Sequence, residues 1–195
     1  MIKHLLFPTP IYVKDVLNEK NLNKDLEKNI INWSKKDKGV LKTNVKGWHS
    51  TSDMHLKKEY KLLIDELFSF QNIIFKDCGI IGDPFLGNMW ANINYPQSYN
   101  KLHTHPNSLW SGVYYVKAEK NSGNLYVQDP RPGADVLLPQ RLDNSKLPVQ
   151  LHREVYFEAK PGRLIMFPGW LPHGVDINNS KDIRISISFN FIQKI

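Results

Sequence analysis

The sequence predicts a mostly β fold, a sandwich or barrel, with two flanking α-helices in its N-terminal part. Three observations carry this. From Phe85 onward, apolar or aromatic runs of five to eight residues alternate with Gly, Pro and Asn turn signals. Before that, two stretches repeat their apolar residues at helical spacing. The change from lysine-rich helical patterning to short strands falls near residue 79, so residues 1–78 read as a helical support region and 79–195 as the β core of one domain.

Each element has its own signal. Between Asn21 and about Lys36 the residues Leu22, Leu26, Ile30, Ile31 and Trp33 form an apolar stripe. Met54 to Phe75 does the same with Leu56, Tyr60, Leu63, Ile64 and Leu67. Both helices are expected to pack on the outside of a sheet. The turn-rich link GVLKTNVKGWHSTSDM joins them, and its Trp48 and His49 either lean over a pocket or, the simpler reading, cap the core. Strands are predicted over 86–95, 99–105, 110–117, 123–128, 135–138, 154–158, 163–168, 173–177 and 183–192. The segment DPRPGADVLLPQRLDNSKLPVQ is long, proline-rich and weakly patterned, like a loop over a barrel mouth.

Composition narrows the chemistry. Hydrophobic residues make up 41% and charged residues 23%, the balance of a globular protein with a real core. The single cysteine, Cys78, excludes an internal disulfide and a thiolate metal cluster, so a metal here would sit on histidines and carboxylates. The net charge is +7, but the lysines of residues 20–61 are interspersed with acidic residues, which suits a solvated surface better than a nucleic-acid face. The opening MIKHLLFPTPIYVKDV has too short an apolar run for a signal peptide and is broken by Pro8 and Pro10. No later segment approaches a membrane span, so a cytoplasmic location is expected, and the Lys, Asn and Ile richness suggests a bacterium or a phage-infected cell.

Two clusters of residues can carry chemistry. His103 and His105 flank Thr104 in LHTHP, and on an extended segment two such residues face the same side. His173, in FPGWLPHGV, can close a set of three. Imidazole suits Fe, Zn, Cu and Ni alike, and hydrogen-bonded or surface histidines would look the same in sequence. In RISISFNF, Arg184, Ser186, Ser188 and Asn190 share one strand face, while Ile183, Ile185, Ile187, Phe189 and Phe191 share the other. One arginine among small hydroxyl and amide groups suits a narrow anion pocket, in which a guanidinium and a neighbouring hydroxyl can hold a carboxylate.

The combination of HTH, His173 and then Arg184 with Ser186 resembles the Fe(II)/2-oxoglutarate-dependent oxygenase superfamily, whose usual pattern is HxD, a distal His, and an Arg about ten residues on, often as RxS. LFPTPIY, WANIN, SGVYYV, SGNLYV, PGRLIMFPGWLPHGV and RISISFNF extend the likeness to a phage and bacterial branch close to the prolyl-hydroxylase-like group. The resemblance implies a double-stranded β-helix (jelly roll, cupin-like) supported by the two helices. It implies iron on His103, His105 and His173, and 2-oxoglutarate with its far carboxylate on Arg184 and Ser186. Tyr115 and Ser111 are implied as further partners of that carboxylate, with Tyr114 facing the core, and Asn92, Asn94 and Asn190 as pocket lining near the metal.

His105 departs from the family pattern, which has aspartate there. Three neutral imidazoles leave an Fe(II) site one positive charge higher, which raises the metal's potential and strengthens anion binding. Asp129 in VQDPR is the alternative source of a carboxylate. The implied reaction is hydroxylation of a C–H group in a protein, peptide or small molecule, with O2 and 2-oxoglutarate consumed and succinate and CO2 released. Loops 43–55 and 129–150 are the expected substrate walls. A cupin-like metal-binding protein without turnover and a nucleic-acid demethylase share parts of this pattern. Homodimerisation is compatible with the sequence and not required by it.

Overall fold

A computed structural model describes residues 1–4, 6–135 and 148–192. In chain order its elements are β1 (Tyr12–Asp15), α1 (Glu19–Ser34), β2 (Asn44–Val45), β3 (Trp48–His49), α2 (Lys61–Asp77), β4 (Phe85–Asn94), β5 (Tyr99–His103), β6 (Trp110–Lys117), β7 (Leu125–Gln128), β8 (Glu154–Phe157), β9 (Arg163–Pro168), β10 (His173–Val175) and β11 (Arg184–Ile192). They form two antiparallel sheets, a six-stranded one ordered β1-β9-β6-β11-β4-β3 and a five-stranded one ordered β2-β5-β10-β7-β8. This is the expected mostly β architecture with two supporting helices, a jelly roll.

Alternation along β11 explains the layering. Ile185, Ile187, Phe189 and Phe191 are fully buried in one core with Leu26 and Ile30 of α1 and Leu63, Leu67 and Ile74 of α2. The helices therefore cover the outer face of the six-stranded sheet. Arg184, Ser186, Ser188 and Asn190 point the other way, into the space between the sheets, where Tyr115, Leu125, Val127, Ile165, Phe167 and Leu171 make a second core. The helical layer is also tied by a buried hydrogen bond from the Tyr114 hydroxyl to Asn23 Oδ1, 2.7 Å.

The structure departs from expectation in four places. Helix α1 begins at Glu19, because left-handed Asn18 starts it and an acidic residue in the first turn suits the helix dipole. The helix predicted from Met54 is two 3-10 turns, Met54–Leu56 and Lys58–Tyr60, before α2 proper. Here Asp53 bridges to Met89, Met54 is fully buried, and extended Lys57 is held by Asp53 at 2.7 Å and by the Trp33 ring at 4.6 Å. Leu56, expected on the apolar stripe, is consequently exposed. Strands β1, β2 and β3 arise in the region expected to be helical support, and they pair into both sheets. Of the strand predicted over 135–138, Asp135 ends a 3-10 turn, Pro132–Asp135, and 136–138 lie outside the described residues.

Candidate metal centre and anion pocket

The site is assembled from both sheets. His103 ends β5 and His173 starts β10, and the two are direct partners across the antiparallel pair. His105 lies beyond the end of β5 rather than on it, so the same-face spacing argument does not place it. The turn does, through its backbone N–H on the Gly169 carbonyl at 2.8 Å. One ligand atom from each of His103, His105 and His173 falls within 4.8 Å of the others. The His105 and His173 Nε2 atoms are 3.1 Å apart.

The rings are prepared as neutral donors. His103 Nδ1 donates to the Lys101 carbonyl at 2.7 Å and His173 Nδ1 to the Leu171 carbonyl at 2.8 Å, since a carbonyl only accepts. Each leaves its Nε2 lone pair free, the arrangement a metal-ligating histidine uses. Burial holds His173 down to about 3 and His105 to about 4, with the neighbouring imidazoles adding to it, and burial also lowers His103. Three close imidazoles kept neutral by burial fit a divalent cation.

From these histidines a narrow pocket of about 40 Å³ runs between the sheets to Arg184, lined on the way by Asn92, Val113, Tyr115, Leu125, Ser186 and Ser188. Register explains the grouping, since Ser186 on β11 faces Asn92 of β4 on one side and Tyr115 of β6 on the other. Arg184 is only 1% exposed, and its guanidinium donates to the Ser122 and Gly123 carbonyls. Gly123 is required there. Its φ is +92°, and a Cβ would lie 2.5 Å from Arg184 Nη1 and 2.3 Å from the Asp176 carbonyl oxygen.

Arg184 and Tyr115 both keep an unused donor. Among the described residues no carboxylate forms an ion pair with Arg184, and Arg184 Nε and the Tyr115 hydroxyl are buried without a hydrogen-bond partner. Burial raises the Tyr115 phenol, so it stays a donor. An unpaired buried cation beside an unused hydroxyl is costly unless an anion with oxygen acceptors completes it. The far carboxylate of 2-oxoglutarate has that chemistry.

Not every expected residue joins this pocket. Ser111 and Asn190 bond to each other at 2.7 Å, and Asn190 continues to Asn88 at 2.7 Å, four positions along β6 and β11 from Tyr115 and Ser186. That is about 13 Å along a strand, too far to reach the Arg184 end. Asn94 lies outside the lining and donates to Asn100. Asp129 pairs with Arg131, and the ligand atoms that lie within 4.8 Å of one another are those of His103, His105 and His173, without Asp129. Residues missed in the sequence include Trp90, Phe167 and Asn100, which line the pocket. Trp90 shares the alternating face of Asn92 in WANIN, and that signal could have found it. His49, read as a core cap, is buried and stacks on Trp90 with ring centroids 5.5 Å apart. Of the two expected substrate walls, 43–55 contributes Thr43 to the pocket, whereas most of 129–150 lies outside the described residues.

The two sheets of the jelly roll thus enclose a pocket that holds the three histidines and Arg184. The family model described as "Putative 2OG-Fe(II) oxygenase" matches residues 88–190, more than half of the chain. The chain belongs to this family of 2-oxoglutarate-dependent dioxygenases, and its cofactor and co-substrates are Fe(II), 2-oxoglutarate and O2. Its fold is similar to that of a Pseudomonas putida prolyl-4-hydroxylase, with a TM-score of 0.67 at 12% identity over 96% of this chain and 94% of that one. It is also similar to a viral collagen prolyl hydroxylase from Paramecium bursaria chlorella virus-1, with a TM-score of 0.60 at 13% identity over 93% and 94%. A non-heme alpha-ketoglutarate-dependent epimerase, SnoN, of nogalamycin biosynthesis matches with a TM-score of 0.69 at 9% identity over 95% of this chain and 77% of that one. No curated protein matches the sequence. Among the described residues no helix is long and apolar enough to cross a membrane.

Proposed function

We propose that the chain, acting as one domain over residues 1–195, hydroxylates a C–H group of a protein, peptide or small molecule, with Fe(II) held by His103, His105 and His173. The single observation that carries this reading is the shared pocket, with three neutral imidazoles at one end and an unpaired buried guanidinium at the other. Bound iron and 2-oxoglutarate supply the oxidising power: O2 is split, one atom goes to the substrate carbon and the other to the succinate formed with CO2.

The protein's own residues bind, orient and exclude water. Arg184 Nε and the Tyr115 hydroxyl take the far carboxylate of 2-oxoglutarate, and Ser186 beside them contributes a further donor. The carbonyls of Ser122 and Gly123 fix the guanidinium so that no reorganisation is needed on binding. Val113, Leu125 and Val175 keep that end of the pocket dry. The Lys101 and Leu171 carbonyls fix the histidine tautomers. With three imidazoles and no carboxylate, the centre keeps a higher positive charge, which favours a dianionic co-substrate.

The test is turnover. Protein supplied with Fe(II), 2-oxoglutarate and O2 should form succinate, and a peptide and metabolite panel should yield a product heavier by one oxygen atom. Absence of succinate from iron-loaded protein, with and without the panel, would count against the hydroxylase reading. A panel product altered without oxygen gain would point to a different oxidation.

A further inference from the structure

We propose that Trp90 is a positioning residue whose indole face sets the plane of His105 and tunes the metal site electrostatically; this rests on the reading of His105 as a ligand. The three histidines are not held alike. His103 and His173 are each fixed by an Nδ1–H bond to a carbonyl two residues earlier. His105 stands in a turn past the end of β5, and among the described residues no hydrogen bond holds its Nδ1. Metal-bound histidines ordinarily rely on such an outer bond for orientation.

Flat stacking replaces it. The His105 ring stacks on Trp90, with centroids 5.6 Å apart and planes 21° apart, and meets His173 at its nitrogen edge, where the two Nε2 atoms are 3.1 Å apart. Trp90 is itself backed by His49 at 5.5 Å and 10°, so His49, Trp90 and His105 form one continuous stack. The platform is rigid because Trp90 sits within β4 opposite Ser188 of β11, and His49 sits on β3 opposite Asn92 of the same strand. Turning His105 out of its plane would break the contact with Trp90 and carry its Nε2 away from that of His173.

The stack also has an electrostatic role. Coordination to a divalent cation withdraws electrons from imidazole, and an electron-poor ring is favoured against the negative face of indole. Where the family pattern has a carboxylate, this chain therefore places a neutral ligand against an aromatic face of negative potential. Leucine or methionine at position 90 fills space but provides neither the plane nor the quadrupole. Phenylalanine retains both in part.

The experiment is equilibrium Co(II) binding to the purified full chain against a competing chelator, followed by the visible absorption of the bound ion, with metal-free melting recorded for each protein. Trp90→Leu and Trp90→Met should bind Co(II) on the order of tenfold more weakly and with a shifted spectrum. Trp90→Phe should stay within about threefold of wild type. Methionine provides a second non-aromatic variant should leucine fail to fold. If wild type binds Co(II), and a folded leucine or methionine variant binds as tightly with the same spectrum, the proposal is overturned while the histidine site stands. A variant that only melts earlier, with affinity and spectrum unchanged, overturns it too. A wild-type chain that takes up no divalent ion overturns both the proposal and the reading beneath it.

Discussion

His103 and His173 face each other across β5 and β10 with ring centroids 4.3 Å apart, and each turns its Nδ1 to its own backbone and its Nε2 to the shared space. The pair is thus built by strand register, which positions two candidate ligands side by side. Burial makes both rings hard to protonate.

The pH dependence of the metal-free protein follows. Burial puts His173 at about 3 and His105 at about 4, and lowers His103, against about 6.5 in the unfolded chain. Below pH 6.5 the unfolded state therefore binds more protons than the folded one, and stability falls as pH falls. Each histidine contributes up to about 1.4 kcal/mol per pH unit in that window. Melting temperature of the metal-free chain should be level above pH 7 and decline steadily from pH 6.5 to 4; a flat profile would show that the rings are not buried neutral.

Arg184→Lys tests the anion anchor. Lysine keeps the charge and loses the planar fork, so 2-oxoglutarate affinity should fall about 10- to 100-fold, the equivalent of one or two charge-assisted hydrogen bonds. Metal affinity should hold. Isothermal titration with Zn(II), and then with 2-oxoglutarate in the presence of Zn(II), measures both without turnover.

Gly123→Ala acts on the same anchor from behind. The added Cβ collides with Arg184 Nη1 and with the Asp176 backbone, at a positive φ that alanine resists. A loss of about 1–3 kcal/mol in stability is expected, with weaker 2-oxoglutarate binding as the guanidinium shifts. Urea denaturation together with the titration above checks both, and an unchanged affinity would detach Gly123 from the anchor.

Asn23→Ala tests the support layer. It strands the buried Tyr114 hydroxyl that now bonds Asn23 at 2.7 Å, costing about 1–3 kcal/mol. Tyr114→Phe in the same background should restore part of that loss, and denaturant midpoints would show it.

Periodicity made the two faces of β11 legible, because alternation alone separates Arg184, Ser186, Ser188 and Asn190 from Ile185, Ile187, Phe189 and Phe191. It could not say how far along the face the pocket extends. Ser111 and Asn190 share the right side yet bond to each other at a distance from Arg184. Strands β2 and β3 have two residues each, too few to show a period. His105 was readable as a metal candidate but not as a turn residue, since its place depends on the Gly169 carbonyl, 64 positions away in sequence by simple subtraction of residue numbers. Gly123 and the Trp90 stack are likewise products of tertiary contacts that no local pattern encodes.

The most direct measurement of the central claim is anaerobic titration of the purified chain with Fe(II) and 2-oxoglutarate, following the visible charge-transfer band of the chelated iron. The band should need both components, saturate at one iron per chain, and be lost in His173→Ala. Stoichiometric iron without a band, or a band that survives His173→Ala, would contradict the central claim.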